Sequence, residues 1–223
     1  LEEGLIWAGT NDGLVHLTRD GGETWTELTD NLPDLPPFGT VSNVEPSPHD
    51  AATAYLSVDR HQLGDFEPYV YVTEDYGATW SRIDGAGEPG GLPRSTHSFV
   101  HVVREDPVRP GMLWAGTHEG VWVSWDRGGS WTRLQGELPH APVSWITVQG
   151  HFDDLVISTY GRGFWILDDV GAVRALGSVM AGGGTGEGGM RRPGRVGDAG
   201  LGGDEDVSAG GVRLFRPRPT YRF

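Results

Sequence analysis

The sequence predicts an all-β fold of repeated four-stranded antiparallel units, on three observations. The stretch "TRDGGETW" (18–25) returns as "TEDYGATW" (73–80) and "SWDRGGSW" (124–131), with Asp20, Asp75 and Asp126 spaced 55 and then 51 residues apart. Between the copies, short apolar or alternating runs of strand length are separated by Gly, Pro, Asn and Asp. No stretch up to residue 177 reads as a helix of useful length. About 50 residues per unit, with an aromatic at a fixed place in each, is the pattern of a β-propeller blade.

The first unit, 1–29, opens inside its second strand with "LIWAGTNDG" (5–13), which matches "MLWAGTHEG" (112–120) in the third. The second, 40–83, reads as strands "TVSNVEP", "TAYLSV", "YVYVT" and "TWSRI". The third, 98–134, runs "SFVHVV", "MLWAG", "VWVSW" and "SWTRL", with Pro and Gly confined to the connections, where a missing donor or a positive φ does no harm to a ladder. The fourth, 143–177, extends from "VSWITVQ" through Asp169 to "AVRAL" (172–176). Its "VISTYGRGFWILDD" (156–169) keeps Thr159, two glycines and Asp168, but has Ile166 in place of a hydroxyl residue and lacks the closing tryptophan. Four such blades imply part of a larger propeller, whose partners are the remaining blades of a longer chain. The other topology is a closed four-bladed ring, with "VRLFRP" (212–217) supplying the strand missing from the first blade. Residues 178–211 read as a Gly-rich flexible linker, unable to bury enough apolar surface to offset ordering entropy. Residues 212–223 read as a C-terminal strand or the start of a following element.

The repeated stretch follows Ser/Thr-x-Asp-x-Gly-x-Thr/Ser-Trp, the Asp-box or BNR pattern, and it has a physical reading as a hairpin tip. Asp20, Asp75 and Asp126 can accept backbone N–H bonds within their own turns. Gly22, Gly77 and Gly128 supply backbone angles that a side chain would forbid. Trp25, Trp80 and Trp131 then start the outermost strand and can pack into the sheet or against a neighbouring blade. Each burial is worth at most about 4–6 kcal/mol. A group needed for chemistry would not require the same local turn three times, so these residues are read as structural.

A net charge of −14 argues against nucleic acid or an anionic membrane surface as partner, since both need clustered cations. It suits sugars, basic partners or divalent cations. There is no cysteine, so no disulfide, thiolate metal site or cysteine nucleophile. No apolar run reaches the roughly 18 residues of a membrane span, and the first ten residues do not read as a signal peptide. No motif calls for a cofactor.

The segments "WAGTNDGLVHLTRDGGETW", "EPSPHDAATAYLSVDRH", "YVYVTEDYGATW", "VHVVREDP", "LWAGTHEGVWVSWDRGGSW" and "TYGRGFWILDD" make residues 5–170 resemble the bacterial sortilin-like Asp-box propeller proteins often labelled glycosyl hydrolases. The chain lacks the Phe/Tyr-Arg-Ile-Pro motif of sialidases ahead of its boxes, and the absence of cysteine removes the Cys-rich module of sortilin receptors. The resemblance implies an extracellular or periplasmic protein. It also implies that the Asp-box turns join strands three and four on one rim, and that the ligand-bearing face is the opposite one. That face would hold the loops 10–14, 59–69, 117–121 and 159–163 and the connections near 29–40, 84–97 and 135–145.

On that face the 59–69 loop is the longest, and it is read either as a binding surface or as a solvated insertion. The ligand-binding candidates are His61, Phe66, Tyr69, His118, Tyr160 and Arg162, the last able to clamp a carboxylate bidentately or to pair structurally. Glycoside cleavage would need two carboxylates about 5–9.5 Å apart, for which Asp12, Asp59, Asp65 and Glu119 are the candidates. His61, His97, His118 and His140 show no close two-ligand spacing, so no metal is expected. The reading that results is a scaffold binding a protein or glycan ligand on its acidic loop face, with a polysaccharide-cleaving glycoside hydrolase as the alternative.

Overall fold

A computed structural model describes residues 2–136, 138–181, 208–209 and 212–213. It divides into two compact units, Leu1–Arg174 and Ala175–Phe223. The first unit holds four antiparallel up-and-down sheets, the blades of a partial β-propeller. Blade 1 has β1 (Ile6–Gly9), β2 (Val15–Thr18) and β3 (Thr26–Glu27). Blade 2 has β4 (Thr40–Pro46), β5 (Ala54–Asp59), β6 (Tyr69–Thr73) and β7 (Ser81–Arg82). Blade 3 has β8 (Val100–Glu105), β9 (Leu113–Thr117), β10 (Val121–Ser124) and β11 (Thr132–Arg133). Blade 4 has β12 (Val143–Gln149), β13 (Asp154–Thr159) and β14 (Gly163–Leu167).

Where the sequence reading carries the last blade on through "AVRAL", the chain instead forms helix α1 (Gly171–Ala181). Ala, Leu, Arg and Met are good helix formers, and the segment lacks the alternation that would seat it as a strand. The Asp169 carboxylate accepts the Gly171 amide just ahead of the first turn. The helix also covers the first residues of the segment read as linker, of which 182–207 and 210–211 lie outside the described residues. In the second unit Val212–Arg213 (β16) pairs with Ser208–Ala209 (β15), and among the described residues the first sheet contains β1, β2 and β3.

The core lies between the blades. Strand alternation sends successive side chains to opposite faces, so each sheet has one face toward the blade before it and one toward the blade after. Val15 and Leu17 meet Leu56, Tyr71 and Trp80 across the first interface. Val70 and Val72 meet Leu113, Ala115 and Trp131 across the second. Val121 and Val123 meet Ile146, Leu155 and Ile157 across the third.

The three repeated hairpins close with the same bonds. Asp20 accepts from the Thr24 amide at 2.9 Å and hydroxyl at 2.5 Å, Asp75 from those of Thr79 at 2.8 and 2.7 Å, and Asp126 from those of Ser130 at 2.8 and 2.7 Å. The preceding hydroxyl, on Thr18, Thr73 or Ser124, accepts the amide of Gly22, Gly77 or Gly128. Those glycines sit at φ 101°, 81° and 86°. A Cβ on Gly77 would lie 2.4 Å from Leu28, and one on Gly128 would lie 2.7 Å from Ile83, so both turns also press on the preceding blade. A further bond ties this turn to the residues leading into β1, β5 or β9. Gly21 donates to Gly4, Tyr76 to Ala52 and Arg127 to Gly111, and in blade 4 Val170 donates to Asp153 although the box itself is lost.

Candidate functional site

At the other end of β6 and β10, loops of blades 2 and 3 converge with the start of β8. The inner strand of blades 2, 3 and 4 carries a bulge at one equivalent place, between Val41 and Asn43, Val100 and Val102, and Val143 and Trp145. Serines occupy it in blades 2 and 4, where Ser42 and Ser144 bond the hydroxyls of Ser57 and Ser158 at 2.9 Å. In blade 3 the bulged residue is His101, opposite Gly116. A bulge re-aims a side chain, and here it brings an imidazole to the edge of Phe99, with ring centroids 5.0 Å apart.

Phe99, itself buried, is the centre of a column of rings. His61 stacks on it at 4.7 Å and His118 at 4.6 Å. His97 continues the stack on His118 at 5.6 Å, and Phe66 tilts against Phe99 at 6.0 Å. Asp59 anchors the assembly: one carboxylate oxygen accepts the His61 amide at 2.9 Å and lies 2.7 Å from His61 Nδ1, and the other is 3.7 Å from His101 Nδ1. Nε2 of His101 is 3.4 Å from Nδ1 of His118.

Burial holds the His101 and His118 pKa values below the usual imidazole range, and neighbouring imidazoles push the same way against the pull of Asp59. Both rings are therefore neutral near pH 7. Among the described residues no group of three or more His, Asp or Glu is arranged to hold a metal ion.

The 59–69 loop is braced. Arg60 donates to Asp65 at 2.9 Å and to the carbonyls of Pro36 and Pro37. Tyr69 donates to the same Asp65 oxygen at 2.9 Å, and burial together with that carboxylate pushes the phenol up to about 12. Burial opposes ionisation of Asp65, but the Glu67 amide, Arg60 and Tyr69 outweigh it and hold its carboxyl below the usual range. Glu67 pairs with Arg94 at 2.8 Å, joining the loop to the next connection.

The structure thus gathers His61, Phe66 and His118 around Phe99, with Asp59 bonded to His61, and places Tyr69 and Asp65 in the supporting loop. Asp12, bonded by the Thr10 hydroxyl at 2.5 Å, lines a cavity of about 320 Å³ with Leu35 and Phe38. Glu119 lines a separate one of about 290 Å³ with Arg133 and His140. Tyr160 and Arg162 lie exposed on the blade 4 loop, outside the ring column. Phe99 and His101 were missed. The period-2 order His97, Phe99, His101 was visible, but the bulge that turns His101 toward the same cluster was not.

No family model matches this chain. It is 31% identical over 136 residues to a probable oligoxyloglucan-reducing end-specific xyloglucanase of Neosartorya fischeri, a match covering 60% of this chain and 16% of that protein. The chain therefore spans about a sixth of the curated relative it matches. Among solved structures it resembles a GH74 xyloglucanase from Xanthomonas campestris at TM-score 0.53 and 19% identity, over 75% of this chain and 28% of that one. It resembles YCF48 bound to D1 peptide at TM-score 0.52 and 19% identity, over 74% and 48% of the two chains. These likenesses show a propeller fold.

Proposed function

We propose that this chain is a recognition scaffold of the sortilin-like Asp-box type, in an extracellular or periplasmic protein, that binds a protein or glycan ligand on the loop rim of blades 2 and 3. The observation that carries this is the ring column His61–Phe99–His118–His97 anchored on Asp59. The column packs blade 2 on blade 3 through Phe99, but four imidazoles gathered beside one carboxylate are more than that packing needs, and no other blade repeats them among the described residues. Its inner ring faces are spent on one another, so what it presents outward is mainly imidazole edges. Edges that donate and accept suit the carbonyls and carboxylates of a polypeptide better than the open aromatic platform on which a pyranose stacks, and a polypeptide is the favoured class. The fold accommodates such a ligand in a neighbour whose structure holds a bound peptide.

The test is a binding screen of the purified chain against peptide and glycan arrays, followed by titration of each hit against His61→Ala and His118→Ala. Binding should weaken at least tenfold in both variants with the fold intact by circular dichroism. Hits indifferent to both substitutions would place recognition elsewhere.

The xyloglucanase likeness favours a second reading, hydrolysis of a xyloglucan-type polysaccharide. Against it, Asp59 is committed to the His61 amide and ring and Asp65 to Arg60 and Tyr69, and Asp12 and Glu119 line separate cavities. Under the recognition reading the chain releases no reducing sugar from xyloglucan oligosaccharides. Release abolished by Asp12→Asn or Glu119→Gln would establish the hydrolase instead.

A further inference from the structure

At each complete interface a tryptophan from the outer hairpin of one blade fills a cleft made with the blade before it. Trp80 sits among Leu28 and Leu32 of the first blade and its connection and Leu56 and Tyr71 of the second. Trp131 sits among Ile83 and Leu92 on one side and Leu113, Ala115 and Trp122 on the other, and its indole N–H donates to the Ile83 carbonyl at 2.8 Å. The same cleft exists between blades 3 and 4. Leu134 and Leu138 stand where Ile83 and Leu92 do, faced by Ile157 and Trp165, and the cleft is an open cavity of about 260 Å³. Trp165 of β14 only lines its wall, and among the described residues blade 4 has no fourth strand to bring an outer-hairpin tryptophan into it.

The strand that would carry the tryptophan is missing in the same place. Among the described residues β14 pairs only with β13, whereas the equivalent edges of β2, β6 and β10 hold β3, β7 and β11. In those blades the carbonyls of Val15, Val70 and Val121 accept the amides of Leu28, Ile83 and Leu134. Phe164 occupies the corresponding position on β14. Helix α1 does not supply the strand. Its first turn is tied to blade 3 by the Trp125 indole, which donates to Val173, and by Arg174, which grips Asp106 and Asp153.

We propose that the cleft and the free edge of β14 form one binding site for an extended polypeptide strand carrying a tryptophan. The strand adds to β14 by backbone pairing, its indole enters the cleft beside Leu134 and Ile157, and the flanking hydroxyl residues stay outside. The occupant's chemistry is set by what fills the equivalent sites, Ser/Thr-Trp-Ser/Thr-Arg followed by an aliphatic residue. β-Strand addition gives affinity through main-chain bonds and specificity through one side-chain pocket. A cavity below the roughly 300–1,000 Å³ of small-molecule sites suits one bulky side chain. The site is separate from the ring column, and its test does not depend on the proposed function.

The test uses the full chain and the synthetic peptide "ATWSRIDG", residues 78–85 of its own second blade, followed by isothermal titration. The peptide should bind, binding should weaken at least tenfold when the peptide carries Trp80→Ala, and Ile166→Arg in the chain should abolish it. Ile166 is 61% exposed, so that variant should fold; Leu134→Arg is the second disruption. Equal binding with and without the indole, or no binding of either peptide, would overturn the proposal. So would self-association of the chain that Ile166→Arg abolishes and the peptide leaves untouched, since a second copy would then cover the open face by another route.

Discussion

The two rims of the blades are built on different rules. On one, three hairpins repeat the same acid, hydroxyl, glycine and indole with the same donors and acceptors. On the other the loops vary more in length and content, and those of blades 2 and 3, with the start of β8, assemble four imidazoles around Phe99 beside a carboxylate. Repetition belongs to architecture, because every interface between blades poses the same packing problem. The departure from repetition belongs to recognition, because a ligand is met once. Within the turn rim there is also an internal control. Trp80 and Trp131 are 6% and 4% exposed, but Trp25, in a turn of the same local geometry, is 46% exposed. Local hydrogen bonds therefore set the turn, and a preceding blade sets the burial.

The largest expected effect breaks that control open. Trp131→Ala should cost about 3–5 kcal/mol, the range for truncating a buried large aromatic, plus the bond to Ile83. Trp25→Ala should change stability by no more than about 0.5 kcal/mol, as for an exposed site. Urea denaturation of the two variants checks the pair. Equal losses would mean that the turn, not the neighbouring blade, gives the indole its value.

Next in size is Gly128→Ala. A methyl there meets Ile83 side chain and backbone under 3.0 Å and takes a positive φ as well, which should cost about 1–3 kcal/mol. At Gly22 the φ is also positive, but no preceding blade lies within reach of an added Cβ. Gly22→Ala should then lose only the backbone part, so the difference in melting temperature between the two variants isolates the contact between blades.

Much of this rim was legible in the sequence, and the reason is that it is local. The groups that donate to Asp75, on Thr73 and Thr79, lie within four residues of it along the chain on either side, so spacing alone dictates the bonds. The ring column is not local. His61, Phe99, His101 and His118 come from two blades, and their meeting depends on a bulge and on the twist between sheets, neither of which leaves a spacing signal. Helix α1 was hidden differently: the lost hydroxyl and tryptophan after Phe164 mark the repeat as weakened, but the short apolar run "AVRAL" that follows reads as well as a closing strand as it does as a helix.

A smaller effect separates the acids. Asp126→Ala removes bonds to Ser130 and Ser124 in a partly buried turn and should cost about 1–2 kcal/mol. Burial opposes its ionisation, yet those bonds hold its pKa down. In Asp75 the Thr79 amide and hydroxyl do the same. A carboxyl depressed in the folded state contributes stability above its unfolded pKa of about 3.9 and loses it as pH falls through the folded value. The melting temperature should therefore drop below about pH 4, and Asp126→Asn should make that drop shallower.

The smallest effect belongs to the loop rim and has the opposite origin. His101 and His118 are depressed by burial, with His61 beside both, His97 beside His118, and Asp59 opposing. Between the folded pKa and about 6.5 the unfolded chain takes up protons that the folded chain refuses, so stability falls as pH drops below about 6.5. The slope should be gentle, below about 1 kcal/mol in all for the two partly exposed rings. His118→Gln should flatten it between pH 7 and 5.5 while leaving the acid-range drop of the turn rim untouched. If one substitution altered both transitions, the two rims would be energetically coupled, and the division between a repeated architecture and a singular recognition surface would not hold.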